Sequence, residues 1–168
     1  LLLRFTLYIF YDIVHLKKED IVLKIADIKE LENIAKKARR NIIEQVYTAS
    51  SGHPGSSLSC VDILTVLYFN QMNINPKEPK MENRDKLVLS KGHASPALYT
   101  ILAQRGYFPE EELKDFRKIG SRLQGHPDIK KLPGVDMSSG SLGQGLSSAC
   151  GIALASKIKK QHNKIYCV

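Results

Sequence analysis

An α/β fold, a parallel sheet flanked by helices, is predicted by three observations. Amphipathic helical stretches alternate with the short apolar runs Lys86-Leu87-Val88-Leu89-Ser90 and Ile165-Tyr166-Cys167-Val168, the pattern of buried parallel strands between covering helices. A Gly-His turn follows the first run at once, at the carboxyl end of a strand where ligands of such sheets sit. No internal repeat, low-complexity tract or second domain boundary interrupts the 168 residues, a length that corresponds to about one domain.

Residues 1-26 are read as a leader of open status, a remnant of a longer chain or a mis-assigned start being the alternatives, and 27-168 as the front part of one domain. The leader opens on Leu1-Leu2-Leu3-Arg4-Phe5-Thr6-Leu7-Tyr8-Ile9-Phe10, which Asp12 and His15 end well below the ~20 residues of a membrane span. It also lacks a small-residue cleavage site. From Asp27, with Glu30 placed as in a capping box, Ile28, Leu31, Ile34, Ala35, Ala38, Ile42, Ile43 and Val46 recur at helical spacing. That helix stops at Ser50-Ser51-Gly52-His53-Pro54-Gly55, where two glycines and a proline predict a tight exposed loop.

A second helix runs through Val61, Ile63, Leu64, Val66, Leu67 and Tyr68 and breaks into a surface connection around Pro76 and Pro79. The strand of Leu87 to Leu89 comes next, then a helix through Leu98, Ile101 and Leu102, and a short helix beyond Pro109. The Gly, Pro, Ser and Asp content of Ile119 to Ser141 predicts a long functional loop. Leu146, Ala149, Cys150, Ala153 and Leu154 restore helical spacing from Gln144 to about Gln161.

Composition excludes several classes. An apolar fraction of 43% and a charged fraction of 25% are those of a soluble globular domain, not of a disordered, collagen-like or membrane chain. Twenty-five basic against 17 acidic residues give +8, which suits anionic ligands such as phosphates. Lys36, Lys37, Arg39 and Arg40, and Lys157, Lys159 and Lys160, lack the interleaved aromatics of a nucleic-acid module, so no nucleic-acid partner and no membrane partner are expected. Cys60, Cys150 and Cys167 are an odd set without Cys-x-x-Cys spacing, each beside apolar residues as buried free thiols are. A reducing, cytoplasmic setting fits them.

Three Gly-His pairs, at His53, His93 and His126, stand out. Five His and 11 Gly are present, and chance pairing predicts only about 0.3 such dipeptides. Glycine lets backbone approach a ligand closely, and imidazole exchanges protons near neutral pH. One such histidine alone is as well explained by a satisfied loop position, and a three-histidine zinc site lacks any local ligand pair. Gly140-Ser141-Leu142-Gly143-Gln144-Gly145 opens the last helix, where amide groups attract phosphate. Its spacing is neither the dinucleotide fingerprint nor a P-loop, and close packing of the turn on a neighbour is the alternative.

Four ordered segments, Ser51-Gly52-His53-Pro54-Gly55, Leu89-Ser90-Lys91-Gly92-His93-Ala94, Gly125-His126-Pro127 and Gly140 to Gly145, together resemble the amino-terminal, diphosphate-binding part of transketolases. The resemblance runs from about Ile28 to Val168. Ser141, with Lys91 before Gly92-His93, is more similar to split enzymes whose halves are separate polypeptides. The resemblance implies a thiamine-diphosphate-binding fold, incomplete in this chain, in a transferase that moves a two-carbon ketol unit from a ketose phosphate to an aldose phosphate, as in the pentose phosphate pathway. It assigns His53 and His126 to catalysis at the sugar hydroxyls, His93 to the cofactor diphosphate, and Gly140, Ser141 and Leu142 to the cofactor wall.

The implied cofactors are thiamine diphosphate and Mg2+. The family's Gly-Asp-Gly magnesium segment follows the strand corresponding to Ile165 to Val168, so no metal ligand is assigned among the residues present. The implied partners are sugar phosphates and a pyrimidine-binding domain or C-terminal subunit, in a dimer or higher assembly. Alone, the chain is expected to be a fragment or subunit without turnover. The alternatives are a relative of 1-deoxyxylulose-5-phosphate synthase or dihydroxyacetone synthase, and a non-catalytic α/β interaction module.

Overall fold

The structure, a computed structural model, describes residues 25–168. The leader expected over 1–26 therefore lies outside the described residues except for its last two, which open the first helix. Contacts divide the chain into Leu1–Glu30 and Leu31–Val168, and the core and the site belong to the second unit.

The element order is α1 (Ile25–Thr48), α2 (Pro54–Leu58), α3 (Val61–Val66), a π-helical turn (Leu67–Gln71), β1 (Lys86–Val88), α4 (Ser95–Arg105), α5 (Gln144–Ile158) and β2 (Ile165–Cys167), with 3₁₀ turns at Gly92–Ala94 and Glu110–Asp115. Strands β1 and β2 pair in parallel with Leu87 opposite Tyr166, and two further bonds, Ser90 N to Val168 O and Val168 N to Val88 O, carry the pairing to the carboxyl end. This is the predicted α/β class: a small parallel sheet in a helix-rich fold.

The centre of the core is α4, whose residues from Ser95 to Ala103 are all buried. A helix apolar on every side must be surrounded, and Gly106, in the left-handed conformation at φ 90°, ends it. Against it α1 turns Ala35, Ala38, Ile42 and Gln45 inward at spacings of three and four residues. Gln45 is 1% exposed and bonds through Nε2 to Thr100 Oγ1 at 2.6 Å and Pro96 O at 3.3 Å. Ile43, expected on the inner face, is 48% exposed, because Gln45 rather than Ile43 falls on the stripe continued from Ile42. The helix also begins at Ile25, two residues before the start expected at Asp27.

Pro54 and Gly55, expected in a loop, open α2, since proline fits the first helical turn where its missing N–H has no partner to lose. The stretch from 119 to 141 has no regular element, as predicted, yet it is firmly held. Leu123, Leu132 and Val135 are buried, and Asp136, its side chain 3% exposed, pairs with Arg84 while accepting the Leu87 amide at 2.7 Å. A buried pair with its remaining acceptor satisfied anchors this loop to β1.

The last helix departs most from expectation. Gly145, Ala149 and Ser156 are its buried residues, whereas Leu146, Leu154 and Ile158 are 55%, 49% and 73% exposed. The helix approaches the sheet through small residues: a Cβ at Gly145 would stand 2.6 Å from the Ser90 Cα. Its bulky side chains therefore face outward, and Cys150, expected to be buried, is exposed, while Cys60 is buried and Cys167 intermediate. Lys36, Lys37 and Arg40 lie on the exposed surface of α1, with Lys37 paired to Glu110 at 2.7 Å and Arg39 to Asp62 at 2.6 Å. No helix among the described residues is long and apolar enough to cross a membrane.

Candidate active site

Four turns meet beyond the carboxyl end of β1. The first ends at His53, which takes the N-cap position of α2 with φ −122° and ψ 78° and makes no side-chain cap bond. Its carbonyl accepts instead, from Ser57 N at 3.2 Å and Ser57 Oγ at 3.0 Å. The backbone of His53 is thus spent on the helix while its imidazole stays exposed.

His93 follows β1 in the 3₁₀ turn Gly92–Ala94. Its ring meets that of His53 edge to face, with centroids 5.0 Å apart, and its Nε2 lies 2.8 Å from Ser56 Oγ. The neighbouring Lys91 reaches the same turn, donating through Nζ to Ser59 Oγ at 2.8 Å and Ser56 O at 3.0 Å. The turn is possible only with glycine at 92: a Cβ there would stand 2.4 Å from Ser139 O, 2.6 Å from Ser139 C and 2.9 Å from Gly140 N. The segment leading into α5 therefore lies directly on the His93 turn.

His126 closes the arrangement. Its turn is hung from α4, with Ser95 Oγ donating to Gly125 O at 2.8 Å and Tyr99 Oη to Gln124 O at 2.8 Å and His126 O at 3.1 Å. Its ring lies 3.7 Å from the position of a Cβ on Gly140. His53, His93, His126 and Gly140 are thus brought together from four separate turns. Ser141 and Leu142 are exposed, Leu142 by 70%. His53 and His93, assigned by resemblance to substrate and to cofactor, are in contact.

Electrostatics set His93 apart. Desolvation first, then the positive charges of His53, Lys91 and His126, hold its pKa below the ordinary histidine value of 6.5. The imidazole is therefore neutral at pH 7, and its Nε2 shares one hydrogen bond with Ser56 Oγ, as donor or acceptor according to the tautomer. The folded pKa lies below the unfolded one, so His93 subtracts stability as pH falls below its unfolded value. An NMR titration should show His93 protonating below pH 6.5, and Lys91→Met should move that midpoint upward by removing a neighbouring cation. An unmoved midpoint would contradict this account.

The site suits a polyanion such as a diphosphate. The amino terminus of α5, a helix of 15 residues, presents partial positive charge, Gly143 N caps the end of β1 by bonding to Ser90 O at 3.2 Å, and His93 and Lys91 stand beside it. A divalent cation is a different matter: no group of three His, Cys, Asp or Glu side chains able to hold a metal occurs among the described residues. Asp136 is committed to Arg84, and Asp128 to the Lys130 amide at 2.9 Å and Ser138.

Ser56 and the Ser139 carbonyl are site groups that sequence reasoning missed. Ser56 carries a signal, three residues past His53 on a helix opened by proline, but its partner His93 lies 37 residues away. Nothing local marks the Ser139 carbonyl.

Comparison with known proteins gives concordant results. The family described as "Transketolase, thiamine diphosphate binding domain" matches residues 30–165. The chain is 44% identical over 139 residues to a 6-deoxy-6-sulfo-D-fructose transketolase subunit of Clostridium sp. (strain MSTE9), covering 83% of this chain and 50% of that one. It is 42% identical over 139 residues to an apulose-4-phosphate transketolase subunit of Phocaeicola vulgatus, covering 83% and 49%. Among solved structures, transketolase from Campylobacter jejuni superposes with a TM-score of 0.76 at 41% identity over 82% of this chain and 23% of that chain. The chain thus spans about half the length of the curated subunits it matches.

Proposed function

Given that the chain belongs to the transketolase thiamine-diphosphate-binding family, we propose that it forms the diphosphate side of a ketol-transfer site, in an enzyme that moves a two-carbon unit from a ketose phosphate to an aldose phosphate. The observation that carries the reading is the meeting of His53, His93 and His126 beside the amino terminus of α5. Thiamine diphosphate, when bound, supplies the electron sink for the cleaved carbon–carbon bond.

The chain's own residues bind, orient and move protons. His93, kept neutral, donates a ring N–H to a diphosphate oxygen, while the α5 amino terminus adds its dipole. Gly140, Ser141 and Leu142 form the adjoining wall, the exposed Leu142 offering apolar surface to the cofactor. His53 and His126 bond the sugar hydroxyls, and a histidine so placed takes and returns the hydroxyl proton as the carbon bond breaks and forms. Magnesium would be held by residues other than those described.

The subunit relatives, each about twice as long as the matched region, support assembly with a second polypeptide that supplies the pyrimidine-binding domain, in a cytoplasmic dimer or higher assembly. The test is product analysis of the full-length protein, combined with its pyrimidine-binding half, thiamine diphosphate and magnesium. A ketose phosphate donor should be shortened by two carbons and an aldose phosphate acceptor lengthened by two. Formation of a 1-deoxy sugar from a 2-oxo acid, or no transfer at all, would overturn the reading.

A further inference from the structure

Both turns assigned to the sugar touch one side chain that the chemistry does not use. Arg117 has φ 61°, a left-handed conformation uncommon for any residue but glycine, and its amide donates to Leu123 O at 2.8 Å. This bend brings its guanidinium between the two turns. On one side Nη1 donates to Ser51 Oγ, two residues before His53. On the other the guanidinium lies against the backbone of Gly125, next to His126: a Cβ there would stand 3.0 Å from Nε and Nη2 and 3.2 Å from Cζ.

The preceding Phe116 reinforces the contact. It is 1% exposed, its ring centroid lies 5.5 Å from the Arg117 Cζ, and its Cε1 would be 3.3 Å from a Cβ on Gly52. Phe116 and Arg117 therefore meet Gly52, Ser51 and Gly125 together, while Ser95 and Tyr99 hold the carbonyls of the 124–126 turn from α4. The Arg117 Nε is buried without a hydrogen-bond partner among the described residues, an arrangement with a cost.

We propose that Arg117 is a positioning residue: a strut between Ser51 and Gly125 that sets the separation of His53 and His126. It rests on the ketol-transfer reading of the site. A planar guanidinium suits the task because it bonds at its edge while its flat surface lies on the glycine backbone, and a lysine ammonium offers only a point contact. Misplacing reacting groups by about 1 Å costs on the order of 100-fold in rate, so a strut of this kind has leverage without touching substrate.

The test uses the full-length protein with its pyrimidine-binding half. Arg117→Lys is expected to lower kcat/KM by roughly 10- to 100-fold and leave thiamine-diphosphate affinity unchanged, since the His93 turn is held by Ser56 and Lys91. In a His53→Ala background the same change should add less than about twofold, as groups acting in one unit are not additive. Imidazole NMR signals of His53 and His126 should move in Arg117→Lys by more than that of His93, which shifts only through its contact with the His53 ring; this readout holds even if the wild type transfers no ketol unit, an outcome that would refute the site reading alone. Should Arg117→Lys fail to fold, Ser51→Ala removes only the exposed end of the strut and should give a smaller loss of the same kind. Unchanged signals with unchanged kcat/KM, a loss additive to His53→Ala, or equal displacement of the His93 signal would overturn the proposal.

Discussion

Full-length protein carrying His53→Ala is expected to transfer ketol units about 10²- to 10⁴-fold more slowly than wild type, the usual contribution of one acid–base group. The imidazole makes no cap bond at α2 and is exposed, so its removal leaves no unpaired polar group in the core and the fold should persist. Cofactor affinity should change little, because His93 keeps its bond to Ser56. The discriminating measurement is therefore the pair of values, steady-state transfer and thiamine-diphosphate binding by calorimetry on the same preparation. Undiminished transfer would remove His53 from the mechanism, and equal loss of both would make it a structural residue.

Gly92→Ala is expected to have the largest effect on stability. The new methyl would meet Ser139 O, Ser139 C and Gly140 N at 2.4, 2.6 and 2.9 Å, all of them backbone atoms with no side chain to turn aside. Overpacking costs about 1–3 kcal/mol and occasionally more, and here relief requires parting the start of α5 from the His93 turn, so cofactor affinity should fall as well. Gly55→Ala is the control: nothing lies within 4 Å of its Cβ position, and a change at such a site should stay within about 0.5 kcal/mol. Chemical denaturation of both variants decides the matter, and equal midpoints would sink the close-approach argument.

The parts legible in sequence were those marked by local chemistry. Glycine before histidine marked the three turns wherever they lay along the chain, and the apolar runs at Leu87 and Ile165 marked β1 and β2, although only β1 is buried as expected and β2 is half-buried along its length. What escaped depended on distant residues. Arg117 resembles any basic residue in a loop, and only folding places Ser51 and Gly125, 66 residues from the first and eight from the second, on its two sides. The orientation of α5 escaped for another reason: periodicity assigns large apolar residues to the inside, whereas close approach to Ser90 required small ones there. The π-helical turn at Leu67–Gln71 likewise continues an apolar pattern that gives no sign of a change in helical pitch.

The outward display of Leu146, Leu154 and Ile158 on α5 also bears on how copies of this polypeptide behave in bulk solution. The net charge of +8 makes molecules repel at low ionic strength, and that repulsion reaches only about 8 Å once salt is physiological. The attraction between apolar helix surfaces is untouched by screening and strengthened by sulfate or phosphate salts. Colloidal behaviour is therefore a contest between a long-range force that salt weakens and a short-range one that it does not, and residues 1–168 taken alone are expected to self-associate more as electrolyte is added, a trend that light scattering against salt concentration checks.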